Sequence, residues 1–232
     1  MNCIITGGTK GIGKACAEYF AGKGFNLAIC ARSEKDLIEI SSSISEKHTV
    51  KIFTQVCDIS KKDEVKKFGN FCLEKLKEID VLINNAGIFL PGNLLDESEG
   101  TLETLVETNL YSAYHLTRII APSMILNKKG YIFNLCSVAS INAYDAGGSY
   151  AISKFGLLGF SKNLRHELKK YHVKVTAVLP GATLTPSWAG TTIPDERYID
   201  AADVAKLIWN AYDVSDRTVV EEILIRPMLG DL

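Results

Sequence analysis

Short apolar runs alternate with helix-length segments from one end of the chain to the other. The runs that read as strands are Asn2–Thr6, Asn26–Cys30, Val50–Cys57, Val81–Asn84, Gly130–Cys136, Val173–Leu179 and Glu222–Arg226. Between them the pattern predicts helices near 12–22, 34–46, 62–77, 97–127, 149–170 and 201–212. Such alternation is the mark of βαβ units around a parallel sheet, so an α/β fold is expected. Asp96 and Glu99 read as a capping box opening the fourth helix. No repeat, low-complexity tract or linker interrupts the series. The one long irregular piece is Pro180–Asp200, which holds three of the six prolines. A loop of that length in a compact domain is more often functional than idle.

With 232 residues the chain is long enough for one well-buried core, and a single domain over 1–232 is expected. Hydrophobic residues make up 47%, charged residues 23%, and the formal net charge is −1. That composition carries no bulk attraction to nucleic acid or anionic lipid. The six cysteines form no Cys-x-x-Cys and four sit in or beside strand-like runs, so they read as reduced, buried small hydrophobes. The four histidines lack metal-ligand spacing, and no metal site is expected. Met1 leads directly into the first strand, and no apolar run reaches the roughly 18 residues of a membrane span, so the expected location is the cytoplasm.

The first strand is followed by Thr6-Gly7-Gly8-Thr9-Lys10-Gly11-Ile12-Gly13. Glycines at such a turn let the backbone approach a pyrophosphate, whose charge then lies at the positive end of the next helix. Gly8–Ala15 comes within one residue of a nucleotide triphosphate loop, but that loop needs a serine or threonine hydroxyl where Ala15 stands. After the second strand, Ala31 occupies the place where an acid would bind a ribose, and Arg32 follows it. Arg32 together with Lys10 favours a 2′-phosphate, and so NADP(H) over NAD(H). Asp58 is placed to hydrogen-bond adenine or else to cap the helix that follows. Asn84-Asn85-Ala86-Gly87 closes the fourth strand where an open α/β sheet binds its ligand, and Ser137 ends the fifth strand at the same rim.

Tyr150 and Lys154 stand four residues apart on one predicted helix face. A lysine charge beside a tyrosine favours the phenolate, which makes the pair a proton-transfer device.

In their order, Thr6-Gly7-x-x-x-Gly11-x-Gly13, Asp58, Asn84-Asn85-Ala86-Gly87, Asn109, Ser137, Tyr150-x-x-x-Lys154 and Pro180-Gly181-x-x-x-Thr185 resemble the short-chain dehydrogenase/reductase family in its compact form. The resemblance implies a doubly wound (Rossmann-type) seven-stranded parallel sheet and a nicotinamide cofactor. It makes Tyr150 the catalytic acid/base, Lys154 a ribose ligand, Ser137 the carbonyl-orienting hydroxyl and Asn109 the anchor of a water-linked proton path. The cofactor would be held by Gly7, Thr9, Lys10, Gly11, Ile12, Gly13, Arg32, Asp58, Asn85, Ala86, Gly87, Tyr150, Lys154, Pro180, Gly181, Thr183 and Thr185. Ser140 is a weaker candidate for the role of Ser137. A lid over about 183–199, with Trp188, Ile193, Pro194 and Arg197, would cover the substrate, and Arg197 could meet a carboxylate.

The chain lacks the glycine-rich ending of many members, which makes it more similar to those reducing small carbonyls or acting on 3-hydroxy acids, sepiapterin-reductase-like proteins among them, than to the ketoreductases of fatty-acid synthesis. The expected activity is therefore reduction of a small carbonyl, or oxidation of the matching alcohol, with NADP(H). Alternatives are reduction of 3-oxoacyl groups on a carrier protein, and a sensor or scaffold that binds NADPH without turnover. The resemblance also implies a homodimer or homotetramer, paired through the helices at 97–127 and 149–170.

Overall fold

Successive residues of a strand point to opposite faces, so a strand covered on both sides must be apolar throughout. β1 (Asn2–Thr6) meets that demand. Cys3 and Ile5 enter one hydrophobic cluster and Ile4 the other. The computed structural model describes residues 1–232, and in it the same division runs through β2 (Asn26–Ala31), β4 (Val81–Asn84) and β5 (Gly130–Leu135). With β3 (Ile52–Val56), β6 (Val173–Pro180) and β7 (Glu222–Ile225) they form a parallel sheet in the order β3-β2-β1-β4-β5-β6-β7. The expected Rossmann-type sheet is thus observed.

One face is covered by α1 (Gly11–Gly22), α2 (Glu34–Ser45) and α7 (Ala201–Tyr212). There Phe20, Phe25, Trp209 and Tyr212 pack with ring centroids 5.2–6.2 Å apart. The other face carries α3 (Lys62–Leu76), α5 (Ser112–Asn127) and α6 (Gly148–Leu168). The strand order reverses between β1 and β4, and ligands of open α/β sheets bind at the carboxyl ends of strands at such a switch point. No helix is long and apolar enough to cross a membrane.

Two details depart from the expected elements. The helix expected over 97–127 starts only at Thr101, as the short α4 (Thr101–Val106), and a π turn at Glu107–Tyr111 separates it from α5. Asp96 and Glu99 form no capping box, because the helix is preceded by Gly100 at φ 86° with no side-chain cap. Glu97 instead reaches across to accept a hydrogen bond from the Ser149 hydroxyl at the start of α6. Buried amides key the middle of the sheet: Asn84 donates to Thr117 Oγ1 at 3.0 Å and to Asn134 Oδ1 at 2.8 Å, and Asn134 donates to Ser161 Oγ at 2.8 Å.

Candidate active site

The turn after β1 and the turn after β4 are stitched together at the switch point. Backbone N–H groups of Asn85 and Ala86 both donate to Thr6 Oγ1 at 3.0 Å, and Asn85 Nδ2 donates to the carbonyls of Thr6 and Gly7 at 2.9 and 3.1 Å. Gly7 sits at φ 64°, in the left-handed region. A Cβ on Gly13 would collide with the Gly7 carbonyl and the Asn85 amide, so the helix can begin this close to the strand only with glycine there. α1 opens from Lys10 with no side-chain cap and no acidic residue in its first turn. Its leading N–H groups therefore have no side-chain partner and can face an anion.

A cleft of about 1110 Å³ runs along this edge. Gly7, Thr9, Lys10, Gly11 and Ile12 form one wall, Arg32 and Asp58 the far end, and Asn85, Ala86 and Gly87 the floor. Asp58 does not cap α3, which starts from Lys61 without a side-chain cap. Its Oδ1 accepts instead from Ser60 N at 3.0 Å and Ser60 Oγ at 2.8 Å. Burial raises the Asp58 pKa, but these bonds and the charge of Arg32 outweigh it, leaving the carboxyl below its usual range. Lys10 is not free: its ammonium pairs with Asp36 at 2.7 Å. Asp36 also lines the cleft, and its hydrogen bond from Lys10 holds its carboxyl below the usual range.

Beyond Gly87 the cleft meets a cavity of about 280 Å³ lined by Ser137, Tyr150 and Lys154. Ser137 lies two residues past the end of β5 and begins a single 3-10 turn, Val138–Ser140, as its N-cap: its Oγ accepts from Ala139 N at 3.1 Å while its own N donates to Ser140 Oγ at 3.1 Å. Ser140 is fully buried and braces Ser137 rather than sharing its position. Tyr150 and Lys154 lie on one face of α6, with the Lys154 ammonium 5.8 Å from the Tyr150 ring centroid. Lys154 is 94% buried and donates to the Leu135 carbonyl at 2.7 Å, the partner a buried cation requires. Phe89 packs edge-on to Tyr150, with centroids 4.9 Å apart.

Asn109 stands behind this wall. Its Oδ1 accepts from Ile88 N at 2.8 Å, and its Nδ2 donates to Ile88 O and Ser153 Oγ, both at 3.0 Å. The π turn carries it, a feature frequent at functional positions in helices. The neighbouring Cys136 also lines the cavity, but burial pushes its thiol up to about 11, so it is inert at neutral pH.

Pro180, Gly181, Thr183 and Thr185 form the roof. The lid is pinched at its ends, where Thr183 and Ile199 form a parallel bridge. It crosses the glycine turn so closely that a Cβ on Gly11 would come within 2.8 Å of Thr185 Cγ2. Trp188 lines the cavity, whereas Ile193, Pro194 and Arg197 do not, so Arg197 is not placed to meet a substrate carboxylate there. Sequence reasoning missed Asp36, Asn142, Tyr144, Asp231 and Leu232, all of which line the two spaces. Tyr144 is held neutral, its phenol pushed up to about 12 by burial and by neighbouring Tyr150.

A family model of short chain dehydrogenases matches residues 2–194. The chain is 34% identical to the sepiapterin reductase of Chlorobaculum tepidum, over 99% of this chain and 97% of that protein. Among solved structures, a metagenomic short-chain oxidoreductase in complex with NADP superposes with a TM-score of 0.86 at 29% identity, covering 99% of this chain and 98% of that one. An alcohol dehydrogenase from the archaeon Thermococcus sibiricus, complexed with 5-hydroxy-NADP, gives a TM-score of 0.91 at 25% identity, covering 100% and 98%.

Proposed function

The chain belongs to the short-chain dehydrogenase/reductase family of oxidoreductases, and on that premise we propose that it exchanges hydride between NADP(H) and a small carbonyl compound or its secondary alcohol. The observation that carries the reading is the convergence of Ser137, Tyr150 and Lys154 on one cavity that opens beside the cofactor turn. Ser137 Oγ already accepts from Ala139 N, which leaves its own proton to donate toward a carbonyl oxygen. Tyr150 faces the same space and delivers the proton to that oxygen as negative charge develops there. Lys154 holds its ammonium beside the Tyr150 ring and would bind the cofactor ribose. Asn109 ties Ile88 and Ser153 together and anchors a water-linked proton path behind them.

The residues of the cleft fit a dinucleotide phosphate. The uncapped start of α1 would take the pyrophosphate and Asp58 would meet the adenine, while Arg32, with Lys10 once it leaves Asp36, would meet the 2′-phosphate. Gly7, Gly11 and Gly13 allow close approach, while Ile12, Asn85, Ala86 and Gly87 line the path to the reacting end. Pro180, Gly181, Thr183 and Thr185, which roof the cavity, would close over the nicotinamide. The bound cofactor supplies the hydride, and the chain supplies placement and the proton. Two of the solved neighbours were determined with NADP or a derivative of it.

The test is NADPH oxidation with a panel of small ketones, diketones, pteridines and 3-oxo acids. Tyr150→Phe should lower kcat by about 10²–10⁴ while NADPH still binds by fluorescence titration. A variant that turns over like the wild type would remove Tyr150 from the mechanism.

The same reading includes a homo-oligomer. Tyr114 of α5 and Ile152 and Phe155 of α6 are exposed, and no atom lies within 4 Å of a Cβ built on Gly159. Light scattering should return the mass of a dimer or tetramer, and a monomer mass at micromolar concentration would count against it.

A further inference from the structure

The segment after β7 folds back over the Pro180–Gly181 turn. Gly181 N donates to Ile225 O at 2.8 Å, and Gly230 N donates to Pro227 O at 3.0 Å with Gly230 at φ 87°, so the chain reverses between them. A Cβ on Gly181 would come within 3.0 Å of Pro227 Cδ and 3.1 Å of Asp231 Oδ1, which fixes how closely the tail lies on that turn. Asp231 and Leu232 thereby reach the wall of the cavity that holds Ser137 and Tyr150.

Arg226 fastens this arrangement from outside. Its guanidinium pairs with the Asp231 carboxylate. With the Asn142 amide turned to satisfy both of its groups, Arg226 Nη2 donates to the Asn142 oxygen at 2.8 Å and the Asn142 nitrogen donates to Ile141 O at 3.1 Å. Asn142 lines the same cavity and follows the turn that Ser137 caps. A planar, fork-shaped cation suits this task, because it can serve two acceptors in fixed directions where an ammonium cannot. One side chain therefore ties the tail to the segment that carries Ser137.

We infer that Arg226 is a specificity-determining brace: by holding Asp231, Leu232 and Asn142 as one wall, it restricts the site to compact carbonyl compounds. The inference rests on the reductase reading and names the substrate class for it. The cavity of about 280 Å³ already falls at the small end of ligand pockets, which run roughly 300–1,000 Å³. Part of that space borders Pro180 and Thr183, assigned above to the nicotinamide, so the substrate has less. Arg226 does not itself line the cavity and acts through the three residues that do, which makes it a positioning residue. The Arg226 and Asp231 side chains are 34% and 42% exposed, so their ion pair adds little to global stability and its loss is felt at the wall.

The experiment compares kcat/KM for 1-phenyl-1,2-propanedione with that for 2,3-butanedione, using NADPH and the full chain. In Arg226→Gln and in Asp231→Asn the bulky-to-compact ratio should rise at least fivefold, mainly through a lower KM for the bulky diketone. Arg226→Lys, which keeps the charge but not the fork, should fall between these variants and the wild type. Hydrogen exchange of the NADPH-bound protein should speed up at residues 227–232 in Arg226→Gln. A ratio within twofold of wild type in all three variants overturns the brace while leaving the reductase reading intact. Equal losses for both diketones, which a general destabilisation would produce, also overturn it. A wild type that reduces neither diketone nor any other carbonyl compound overturns the reductase reading and the size limit with it.

Discussion

The two ends of the long cleft are built on different principles. At the end beside Tyr150 three polar side chains are fastened to backbone: Lys154 to the Leu135 carbonyl, Ser137 to the 3-10 turn it caps, and Asn109 to both polar groups of Ile88. At the far end the charges sit on the surface. Lys10 has 61% of its side chain exposed, and its partner Asp36 comes from another element. On the proposed function, the first arrangement suits proton transfer, which demands fixed atoms, and the second suits a preference among charged ligands. Substitutions should accordingly cost turnover at one end and shift selectivity at the other.

The sharpest way to break this contrast is Asn109→Ala. The change leaves Ile88 N–H and C=O without their partner, which should cost about 1–3 kcal/mol of stability in urea unfolding. It should also lower kcat tenfold or more, because the loop carrying Gly87 and Phe89 loses its tether. Turnover like that of the wild type would show that the reacting end tolerates slack. Next in size is Arg32→Asp, which exchanges a cation lining the far end of the cleft for a carboxylate. NADPH should bind about 10–100-fold more weakly by fluorescence titration, with kcat at saturating cofactor nearly retained. A wild type that binds NADPH and NADH equally would end the preference assigned to this end.

The smallest effect belongs to Asp36→Asn, which frees Lys10. NADPH should bind about two- to fivefold more tightly, and the gain should shrink with added salt as expected of exposed charges. Its pH dependence has a definite sign. The hydrogen bond from Lys10 holds the Asp36 carboxyl below its usual value of about 3.9, so the pair is complete above that value and is lost only as pH falls through the lowered one. Wild type and variant should therefore differ throughout the neutral range and converge only in acid, and a difference that vanished near pH 6 would exclude Asp36 as its source.

The same division governs what could be read from the residues alone. Strands such as Asn2–Thr6 and Val81–Asn84 were legible to the residue, because burial on both faces leaves an unbroken apolar run between polar turns. Gly7, Asn85, Ser137, Tyr150 and Lys154 were legible through their order and spacing, and the fold brings them to one rim. What escaped was pairing between elements. Nothing in the run Ser33–Asp36 announces that Asp36 will hold Lys10, and Asp96 with Glu99 looks like a cap although the helix begins only at Thr101. The π turn was invisible for a related reason: apolar spacing reports which face is buried and is blind to one extra residue in a helical ladder. Asn142, Tyr144 and Asp231 come from irregular chain, where no period exists to betray a shared cavity.

The lid has its own lesson in its closed neck. Ile199 N donates to Ala182 O and Leu184 N to Ile199 O, both at 2.9 Å, so entry and exit of the loop lie side by side on the frame. Residues past Trp188 in that loop form an exchangeable cassette: their sequence and length can change while both attachment points stay put. A graft of a foreign loop between Trp188 and Tyr198 would retain the neck's hydrogen bonds and leave Thr185 in place, and new selectivity could be acquired there without redrawing the scaffold.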